Sequence, residues 1–236
     1  MAVLREPAYR GALRHGVAAA VEHDSVPFGR EFRTVVDVGA GRGQFALVAR
    51  RRFPQAGLVC VEPLASSRSR LERAVGLRGG VDVHPVAASA TDGEAEFVVS
   101  AAADSSSLLP ATRLQTETFP GTGEAARITV RTARLDSLLD VPQLAGPVLL
   151  KIDVQGSELD VLRGAPGLLE AVDEVLVECS FAELYRGQAL AGDVEGHLHA
   201  RGFSLVAVCS PVTDRGGVVL QADLLFARRH ERATTP

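Results

Sequence analysis

Early in the chain, about 55 residues alternate between short apolar runs and stretches with helical spacing. The apolar runs are Thr34–Gly39, Gly57–Pro63 and Val81–Ala88, and the helical stretches between them cover residues 43–53 and 64–76. Consecutive strands joined by a helix pair in parallel through a right-handed crossover in nearly all known proteins. The alternation therefore predicts an α/β fold with a parallel sheet covered by helices.

The rest of the chain extends this sheet. Further strand-like runs lie at residues 147–154, 173–180, 203–210 and 221–229. Helices are predicted from Ser157 to about Glu170 and near residues 189–201. The segment between the last two strands is too short for a crossover helix, so these strands should pair antiparallel. We expect a Rossmann-like sheet of seven strands, mostly parallel, that ends in an antiparallel hairpin.

Residues 92–135 interrupt the alternation of strands and helices. The segment begins with a period-2 pattern typical of a half-buried strand, continues through a small, polar stretch and ends in another strand-like run. We expect an inserted β-hairpin with a Ser-rich loop. The loop contains Ser105, Ser106 and Ser107, and it either closes over a substrate or is a solvated linker.

The first 30 residues are polar, with a loose amphipathic helix predicted over residues 11–23. No repeat or interdomain linker follows, so the sequence predicts an N-terminal lead-in over residues 1–30 and a single domain over residues 31–230. The N-terminus lacks the apolar stretch of a secretory signal, and no uncharged apolar run approaches the ~18 residues of a membrane span. A cytoplasmic protein without membrane contact is expected.

The composition argues against several classes of function. The net charge of −4 disfavours a protein that grips nucleic acid, and the absence of Trp disfavours base-stacking platforms. Cys60, Cys179 and Cys209 lie in apolar runs, outside any CxxC pair, and are expected to be buried thiols. Of the 25 basic Lys and Arg residues, only Lys151 is a lysine.

A glycine-rich loop lies between the first predicted strand and the first predicted helix. Gly39, Gly41 and Gly43 permit a tight turn and a close approach of a ligand to the backbone. Gln44 stands where a dinucleotide-binding loop requires glycine. Asp37, just before the loop, would repel a pyrophosphate but can receive the ammonium of a methionine-like ligand through an intervening N–H or water. The loop therefore favours a nucleoside ligand without a pyrophosphate.

An acidic residue follows the second predicted strand. Glu62 is placed there to accept both hydroxyls of a ribose. An acid before the loop, glycines within it and an acid after the next strand together describe a site for S-adenosylmethionine. The expected cofactor-binding residues are Asp37, Gly39, Ala40, Gly41, Gly43, Gln44, Glu62, Pro63 and Ala87.

A second motif follows the fourth strand of the predicted sheet. Lys151 and Asp153 fall on one face of an otherwise apolar strand, and a buried parallel strand tolerates charge near its end or in a pair. Gly156 permits a turn, Ser157 can cap the next helix and Glu158 lies in its first turn. The pair is either structural or part of a site beside the cofactor crevice.

Three segments resemble the FkbM family of S-adenosylmethionine-dependent methyltransferases. They are LKIDVQGSELDVLRGA (residues 150–165), VRTARLDSLL (residues 130–139) and VDVGAGRGQFALVAR (residues 36–50), and the likeness runs from about Thr34 to Arg228. Family loops often carry Asn where this chain has Arg42. The resemblance implies the class I methyltransferase fold and O-methylation of a hydroxyl, often on a sugar or a secondary metabolite.

Methyl transfer to oxygen needs an oriented hydroxyl and a base or a metal to assist it. We assign Asp153 to binding the acceptor hydroxyl or to acting as the base, and Lys151 to orienting it or stabilising negative charge. Glu178 is the third catalytic candidate. Asp153, Glu158 and Glu178 are candidate oxygen ligands for a Mg²⁺ ion, with no metal as the alternative.

The histidines are less specific than these motifs. His84 ends the third predicted strand, where it either approaches an adenine or is a partly buried strand-end residue. His23 is expected to be a surface residue. Neither assignment requires a role in the reaction.

Other functions remain open from the sequence. A nicotinamide-dependent oxidoreductase is disfavoured by Gln44 and by the lack of a Tyr-x-x-x-Lys pair. A noncatalytic nucleoside-binding protein is disfavoured by the Lys151–Asp153 pair. A nucleic acid methyltransferase is disfavoured by the acidic balance. The expected partner is a small hydroxyl acceptor, such as a glycoside or natural product, and the oligomeric state is left open.

Overall fold

The computed structural model describes residues 6–75 and 80–229. Its ten strands are β1 (Thr34–Val38), β2 (Gly57–Val61), β3 (Val81–His84), β4 (Ala87–Ala88), β5 (Gly93–Ser100), β6 (Glu124–Ala133), β7 (Val148–Ile152), β8 (Glu174–Ser180), β9 (Phe203–Thr213) and β10 (Val219–Arg228). Its eight α-helices are α1 (Pro7–Leu13), α2 (Gln44–Arg52), α3 (Ala65–Val75), α4 (Arg113–Thr118), α5 (Leu135–Leu138), α6 (Glu158–Arg163), α7 (Pro166–Ala171) and α8 (Ala191–His199). Short 3₁₀ turns cover Val21–Ser25, Ala103–Ser105 and Val141–Gln143.

Seven strands form the main sheet in the order β3-β2-β1-β7-β8-β10-β9. The first five are parallel, and β10 pairs antiparallel with both β8 and β9. The predicted class I methyltransferase sheet with its antiparallel C-terminal hairpin is confirmed. From β1 the chain adds β2 and β3 on one side, and it then returns to add β7 and β8 on the other side. The reversal of direction leaves a crevice at the carboxyl ends of β1 and β7.

Alternating side chains divide the sheet between two cores. Val36, Leu150 and Val177 face one core with α6, α7 and α8, whereas Val35 and Leu149 face the other with α1, α2 and α3. The residues that follow on this second face, at the edge where the parallel strands end, are polar. They are Asp37 on β1, Lys151 on β7, Glu178 on β8 and Asp223 on β10. The period of the strands therefore brings four ionisable groups to one face.

The predicted third strand is divided between two sheets. Val81–His84 pairs with β2 in the main sheet, whereas Ala87–Ala88 pairs in parallel with β6 in a separate three-stranded sheet. Pro85 separates them, and a proline has no N–H to donate to a strand neighbour. The prediction of one strand over residues 81–88 is therefore wrong in its extent.

The inserted hairpin forms as the sequence predicts. β5 and β6 pair antiparallel from Gly93 opposite Thr132 to Ser100 opposite Glu124. The Ser-rich loop and α4 connect them. The insertion therefore forms the smaller sheet and places its loop near the carboxyl end of the main sheet.

The helix predicted from Ser157 to about Glu170 is two helices, α6 and α7. Pro166 cannot continue α6 because its ring excludes the carbonyl four residues earlier. Gly164 permits close packing, since a Cβ there would lie 2.1 Å from the carbonyl oxygen of Ser89. The break lets the chain turn against the inserted sheet.

The N-terminal segment also differs from its prediction. A single helix over residues 11–23 is wrong, because α1 ends at Leu13 and the 3₁₀ turn begins only at Val21. Tyr9 and Val17 are fully buried in the core that contains Phe45. The predicted domain boundary at residue 230 lies outside the described residues. Within the ranges that the structure describes, no helix is long and apolar enough to cross a lipid bilayer.

Candidate active site

A cavity of about 440 Å³ lies at the carboxyl ends of β1, β2 and β7. Its walls come from the glycine loop, the end of β2, the turn after β7, the Ser-rich loop and the segment between α1 and the first 3₁₀ turn. Seven of the expected cofactor residues line it: Gly39, Ala40, Gly41, Gln44, Glu62, Pro63 and Ala87. Lys151 and Asp153 line it as well. The two predicted motifs therefore meet in one site.

Two glycines of the loop have different structural roles. Gly39 has a φ of 75°, and a Cβ there would lie 1.8 Å from the carbonyl oxygen of Asp153. Gly43, at the start of α2, has a φ of 93°, and a Cβ there would lie 3.0 Å from Val75 of α3. Gly39 thus joins the loop to the end of β7, and Gly43 permits helix packing without lining the cavity.

The carboxylate of Glu62 is held at the wall of the cavity by the backbone. It accepts hydrogen bonds from the N–H groups of Gly41 at 2.9 Å and Leu64 at 2.7 Å. Burial raises the pKa of Glu62 to about 7, and the two N–H groups oppose that rise. Glu62 is therefore a fixed hydrogen-bond acceptor beside the glycine loop, as its position after β2 predicts.

Lys151 lies between two carboxylates. Its Nζ is 3.3 Å from an oxygen of Asp37 and 3.3 Å from an oxygen of Asp153, and it lies over the ring of Phe45. Burial alone would lower the pKa of Lys151, but the two carboxylates outweigh it and hold the pKa above its usual value. Lys151 is therefore a charged group fixed at the centre of the site.

Asp37 lies behind the cavity. Its side chain is 2% exposed, and it does not line the cavity wall. Burial raises the pKa of Asp37, and the charge of Lys151 opposes this effect. Asp37 thus contacts Lys151 directly, and its contact with a ligand ammonium through an intervening group stays a prediction.

Asp153 faces the cavity with a side chain that is 31% exposed. Its second oxygen accepts a hydrogen bond of 2.7 Å from the amide of Gln155. Burial would raise the pKa of Asp153, but Lys151 and Gln155 outweigh it and hold the pKa below its usual value. Asp153 is therefore an ionised, oriented hydrogen-bond acceptor.

Gln155 links the turn after β7 to its neighbours, a role that the sequence does not reveal. It has a φ of 58°, which is rare for a residue with a side chain. Its amide donates to Asp153 and, at 2.9 Å, to Glu178, and it accepts a 2.6 Å hydrogen bond from the hydroxyl of Tyr185. These bonds fix the direction of the Asp153 carboxylate.

The other two predicted carboxylates do not line the cavity. Glu178 accepts hydrogen bonds from the amides of Gln155 and Gln221, and burial raises its pKa well above its usual value. Glu158 accepts from the backbone N–H groups of Val154 and Gly156. Both side chains are thus engaged within the protein.

The predicted Mg²⁺ site finds no support. Among residues 6–75 and 80–229, no three His, Cys, Asp or Glu side chains lie together in a way that could hold a metal ion.

Ser157 occupies the position before α6, but its hydroxyl forms no capping hydrogen bond. The Glu158 carboxylate binds the N–H groups of this turn instead.

Sequence reasoning missed four charged or titratable residues of the cavity wall, namely Glu22, His23, Arg42 and Asp104. His23, expected at the surface, is 7% exposed and lines the cavity. Arg42 of the glycine loop forms an ion pair with Asp104 of the Ser-rich loop, with Nε 3.2 Å from Oδ1. No local pattern signals these contacts. His84 pairs with Asp82 at 3.0 Å and does not line the cavity.

The Ser-rich loop is held against the site at several points. Ser107 donates a 2.7 Å hydrogen bond to the carbonyl of Gln155, and the hydroxyl oxygen of Tyr185 lies 3.2 Å from the carbonyl oxygen of Ser105. Ser106 accepts from the backbone N–H of Ser100. Together with the Arg42–Asp104 pair, these bonds make the loop one wall of the cavity.

The three cysteines carry no disulfide. Cys60 and Cys179 are buried, and Cys209 is half-buried. Burial raises the pKa of all three thiols. Cys60 and Cys179 are therefore core residues, as the apolar runs around them predict. The prediction of a buried thiol is wrong for Cys209, which packs against the edge of the core and stays partly exposed.

Comparison with known proteins identifies a family and several relatives. The methyltransferase FkbM domain matches residues 37–205. Methyltransferase 1 of Beauveria bassiana is 28% identical over 66% of this chain and 68% of its own. The 2-O-methyltransferase NoeI of Sinorhizobium fredii is 31% identical over 65% of this chain and 66% of its own. The chain thus spans about two thirds of the length of both.

A shorter match and two solved structures are also similar. The hexuronic acid methyltransferase AglP of Haloferax volcanii is 37% identical over 22% of this chain and 21% of its own. Precorrin-6y C5,15-methyltransferase of Geobacter metallireducens has a TM-score of 0.47 and 9% identity, covering 89% of this chain and 87% of its own. Magnesium protoporphyrin IX methyltransferase of Synechocystis has a TM-score of 0.44 and 12% identity, covering 95% and 85%.

Proposed function

The chain belongs to the FkbM methyltransferase family, and on that premise we propose that it transfers a methyl group from S-adenosylmethionine to a hydroxyl of a sugar or secondary metabolite. One observation carries the proposal. The cavity that Glu62 and the glycine loop line also contains the oriented carboxylate of Asp153. A nucleoside-binding site and a hydroxyl-binding group are therefore side by side.

The residues at the glycine loop fit the cofactor. The Glu62 carboxylate is fixed by two backbone N–H groups and faces the cavity, where it can accept hydrogen bonds from ribose hydroxyls. Gly39 and Gly41 carry no side chain, so a ligand can approach the backbone at these two positions. When bound, S-adenosylmethionine supplies a methyl group that is electrophilic because it is attached to a sulfonium.

Asp153 and Lys151 provide the chemistry that an acceptor hydroxyl needs. Asp153 accepts a hydrogen bond from the hydroxyl, which directs an oxygen lone pair toward the methyl carbon. Because the pKa of Asp153 is low, its carboxylate acts first as an orienting group and receives the proton only as the new bond forms. Lys151 keeps Asp153 ionised and in place.

The name of one relative supports an oxygen acceptor, and that of another supports an acceptor derived from a sugar. One is a 2-O-methyltransferase, and another is a hexuronic acid methyltransferase. We accordingly propose that the acceptor is a small compound with a hydroxyl group, and that the protein acts on neither a nucleic acid nor a membrane. Enzymatic assay of pooled glycosides and hydroxylated natural products with radiolabelled S-adenosylmethionine would identify its class.

Ligand-dependent thermal unfolding tests the cofactor. S-adenosylhomocysteine at 100 times its dissociation constant should stabilise the protein by about 2.7 kcal/mol. S-adenosylmethionine should also raise the melting temperature, and NAD should not. A rise with NAD alone would overturn the proposal in favour of an oxidoreductase. Binding of the sulfur nucleosides without methyl transfer to any acceptor would favour a noncatalytic nucleoside-binding protein.

Asp153→Asn tests the role of the carboxylate. The amide cannot receive the acceptor proton, so we expect methyl transfer to fall by about 100-fold or more. The affinity for S-adenosylhomocysteine, measured by calorimetry, should change by less than about threefold. Asp160→Asn, at a half-exposed position on α6 outside the cavity, is the matched control and should retain full transfer. Full activity of Asp153→Asn would eliminate the assignment.

A further inference from the structure

The N-terminal segment carries a histidine to the cavity wall. His23 lies in the 3₁₀ turn Val21–Ser25, and its Nε2 is 3.2 Å from a carboxylate oxygen of Asp223. The edge of its ring packs against Phe45, with 5.2 Å between the ring centroids. Its Nδ1 is buried and has no hydrogen-bond partner. One of the two ring nitrogens is therefore engaged and the other is not.

The surroundings of His23 favour its cationic form. The charged groups that face it are Glu22, Asp37, Lys151, Asp153 and Asp223. Burial lowers the pKa of His23, but the hydrogen bond and the charge of Asp223 outweigh it, so the pKa lies above its usual value. The four carboxylates outnumber the one ammonium, so the neighbouring charges by themselves also raise the pKa of His23.

A cationic imidazole needs two acceptors. Both of its nitrogens carry a proton, and Asp223 accepts from only one of them. The second N–H is left buried without a partner, which is unfavourable unless a ligand supplies one. An anionic oxygen in the cavity would satisfy this donor best.

The position of His23 in the cavity indicates which ligand atom this is. Glu62 follows β2, whereas Asp223 lies on β10, on the other side of β1 and β7 in the strand order. A nucleoside whose ribose contacts Glu62 therefore directs the rest of its length across the crevice toward His23. In S-adenosylmethionine that remaining length is the amino acid, which carries one carboxylate.

We propose that His23, held by Asp223, binds the carboxylate at the amino acid end of the cofactor. This role rests on the function proposed above. His23 is the binding residue, and Asp223 is a positioning residue that acts through it. The N-terminal segment thereby distinguishes the intact cofactor from nucleosides that lack an amino acid.

Two ligands and two variants test this role. S-adenosylhomocysteine has the carboxylate, whereas 5′-methylthioadenosine shares the nucleoside and lacks the amino acid. Dissociation constants are measured by calorimetry for the wild type, for His23→Gln and for His84→Gln. His84 is the matched control because it is a histidine with an aspartate partner, Asp82, outside the cavity.

For His23→Gln we expect S-adenosylhomocysteine to bind about 10- to 100-fold more weakly, the size of a lost hydrogen bond between charged groups. The affinity for 5′-methylthioadenosine should change less than about twofold, as should both affinities of His84→Gln. Asp223→Asn should also weaken the binding of S-adenosylhomocysteine more than that of 5′-methylthioadenosine. An equal loss of affinity for both ligands would show that His23 only holds the N-terminal segment in place, and would overturn the proposal. Unchanged affinity for both ligands would overturn it as well.

The pH dependence of the wild type provides a second measurement. The ratio of the two affinities should favour S-adenosylhomocysteine at low pH and decline as the pH rises and His23 loses its proton, while the ligand carboxylate stays ionised. Because Asp223 outweighs the effect of burial and raises the pKa of His23, the decline should come at a higher pH than for an ordinary histidine. A constant ratio would contradict the role of His23. If the wild type binds neither ligand, the proposed function itself fails.

Discussion

Lys151 shows how one residue can fix the chemistry of a site. Arginine is the basic residue everywhere else in the chain, yet the position between Asp37 and Asp153 holds a lysine. An ammonium is compact and donates in three directions, whereas a planar guanidinium needs more room and a defined plane. Removing the charge would leave two carboxylates without their cation in a buried site, which typically costs 3–5 kcal/mol.

Glu158 provides a prediction at the same scale. Burial raises the pKa of Glu158 to about 7, from an unfolded value near 4.5. The folded protein therefore holds this proton more tightly, so its contribution to stability is full below about pH 4.5 and is lost as the pH rises through about 7. Glu158→Gln keeps an oxygen for the turn and avoids the buried charge.

We expect Glu158→Gln to be more stable than the wild type at about pH 8, by on the order of 2 to 3 kcal/mol, with a smaller loss of stability between about pH 5 and pH 8. Urea unfolding at several pH values measures both quantities. Glu170→Gln on the exposed side of α7 is the control for removing a carboxylate. An unchanged pH profile in Glu158→Gln would show that another group causes the dependence.

At the scale of elements, the site depends on how loops meet the ends of strands. The glycine loop contacts the turn after β7 at Gly39, and the Ser-rich loop contacts both through the Arg42–Asp104 pair and the Ser107–Gln155 hydrogen bond. The Arg42–Asp104 pair is partly exposed and contributes little to folding stability. Because the pair lies at the cavity wall, we infer that its main role is to hold the two loops in the shape of the site.

Gly39→Ala tests the junction between the glycine loop and β7. The added Cβ would meet the carbonyl oxygen of Asp153 at 1.8 Å and would also strain a backbone with positive φ. We expect a loss of about 3 kcal/mol or more in unfolding free energy and of cofactor binding. Gly121→Ala also has a positive φ but nothing within 4 Å, so about 1 kcal/mol of strain is expected there. Equal losses in the two variants would show that contact with Asp153 is unimportant.

At the scale of the whole molecule, the N-terminal segment is part of the core and of the site. Tyr9 is buried, donates a hydrogen bond to Asp24 and accepts one from Arg51 of α2. Arg52 donates to the carbonyls of Asp24 and Val26. These contacts hold the segment that carries His23 against the sheet. We propose that the segment and the domain beyond residue 30 unfold together.

Tyr9→Ala tests this cooperativity. Loss of the buried ring should lower the unfolding free energy by about 3 to 5 kcal/mol, and the transition should remain single when followed by fluorescence and by circular dichroism. Leu13→Ala, at a position that is 40% exposed, should change stability by less than about 1 kcal/mol. Two separate transitions in the wild type would show that the segment is an independent unit.

The sequence by itself determined the elements and the two motifs. Strand and helix periods, the glycines after β1 and the Lys-x-Asp at the end of β7 are local patterns, and the order of parallel strands brings their ends to one edge. Gly39, Glu62, Lys151 and Asp153 were therefore predictable as neighbours of one cavity.

Tertiary structure alone decided how the remaining polar groups are used. The ion pair of His23 joins residues 200 positions apart, that of Arg42 joins residues 62 positions apart, and Asp37 faces Lys151 because of strand register. Glu158 accepts hydrogen bonds from backbone N–H groups of a turn, and Glu178 accepts them from two side-chain amides. A carboxylate that is withdrawn from water needs such donors to be stable. Such partners are set by packing between distant segments, and no local period encodes them.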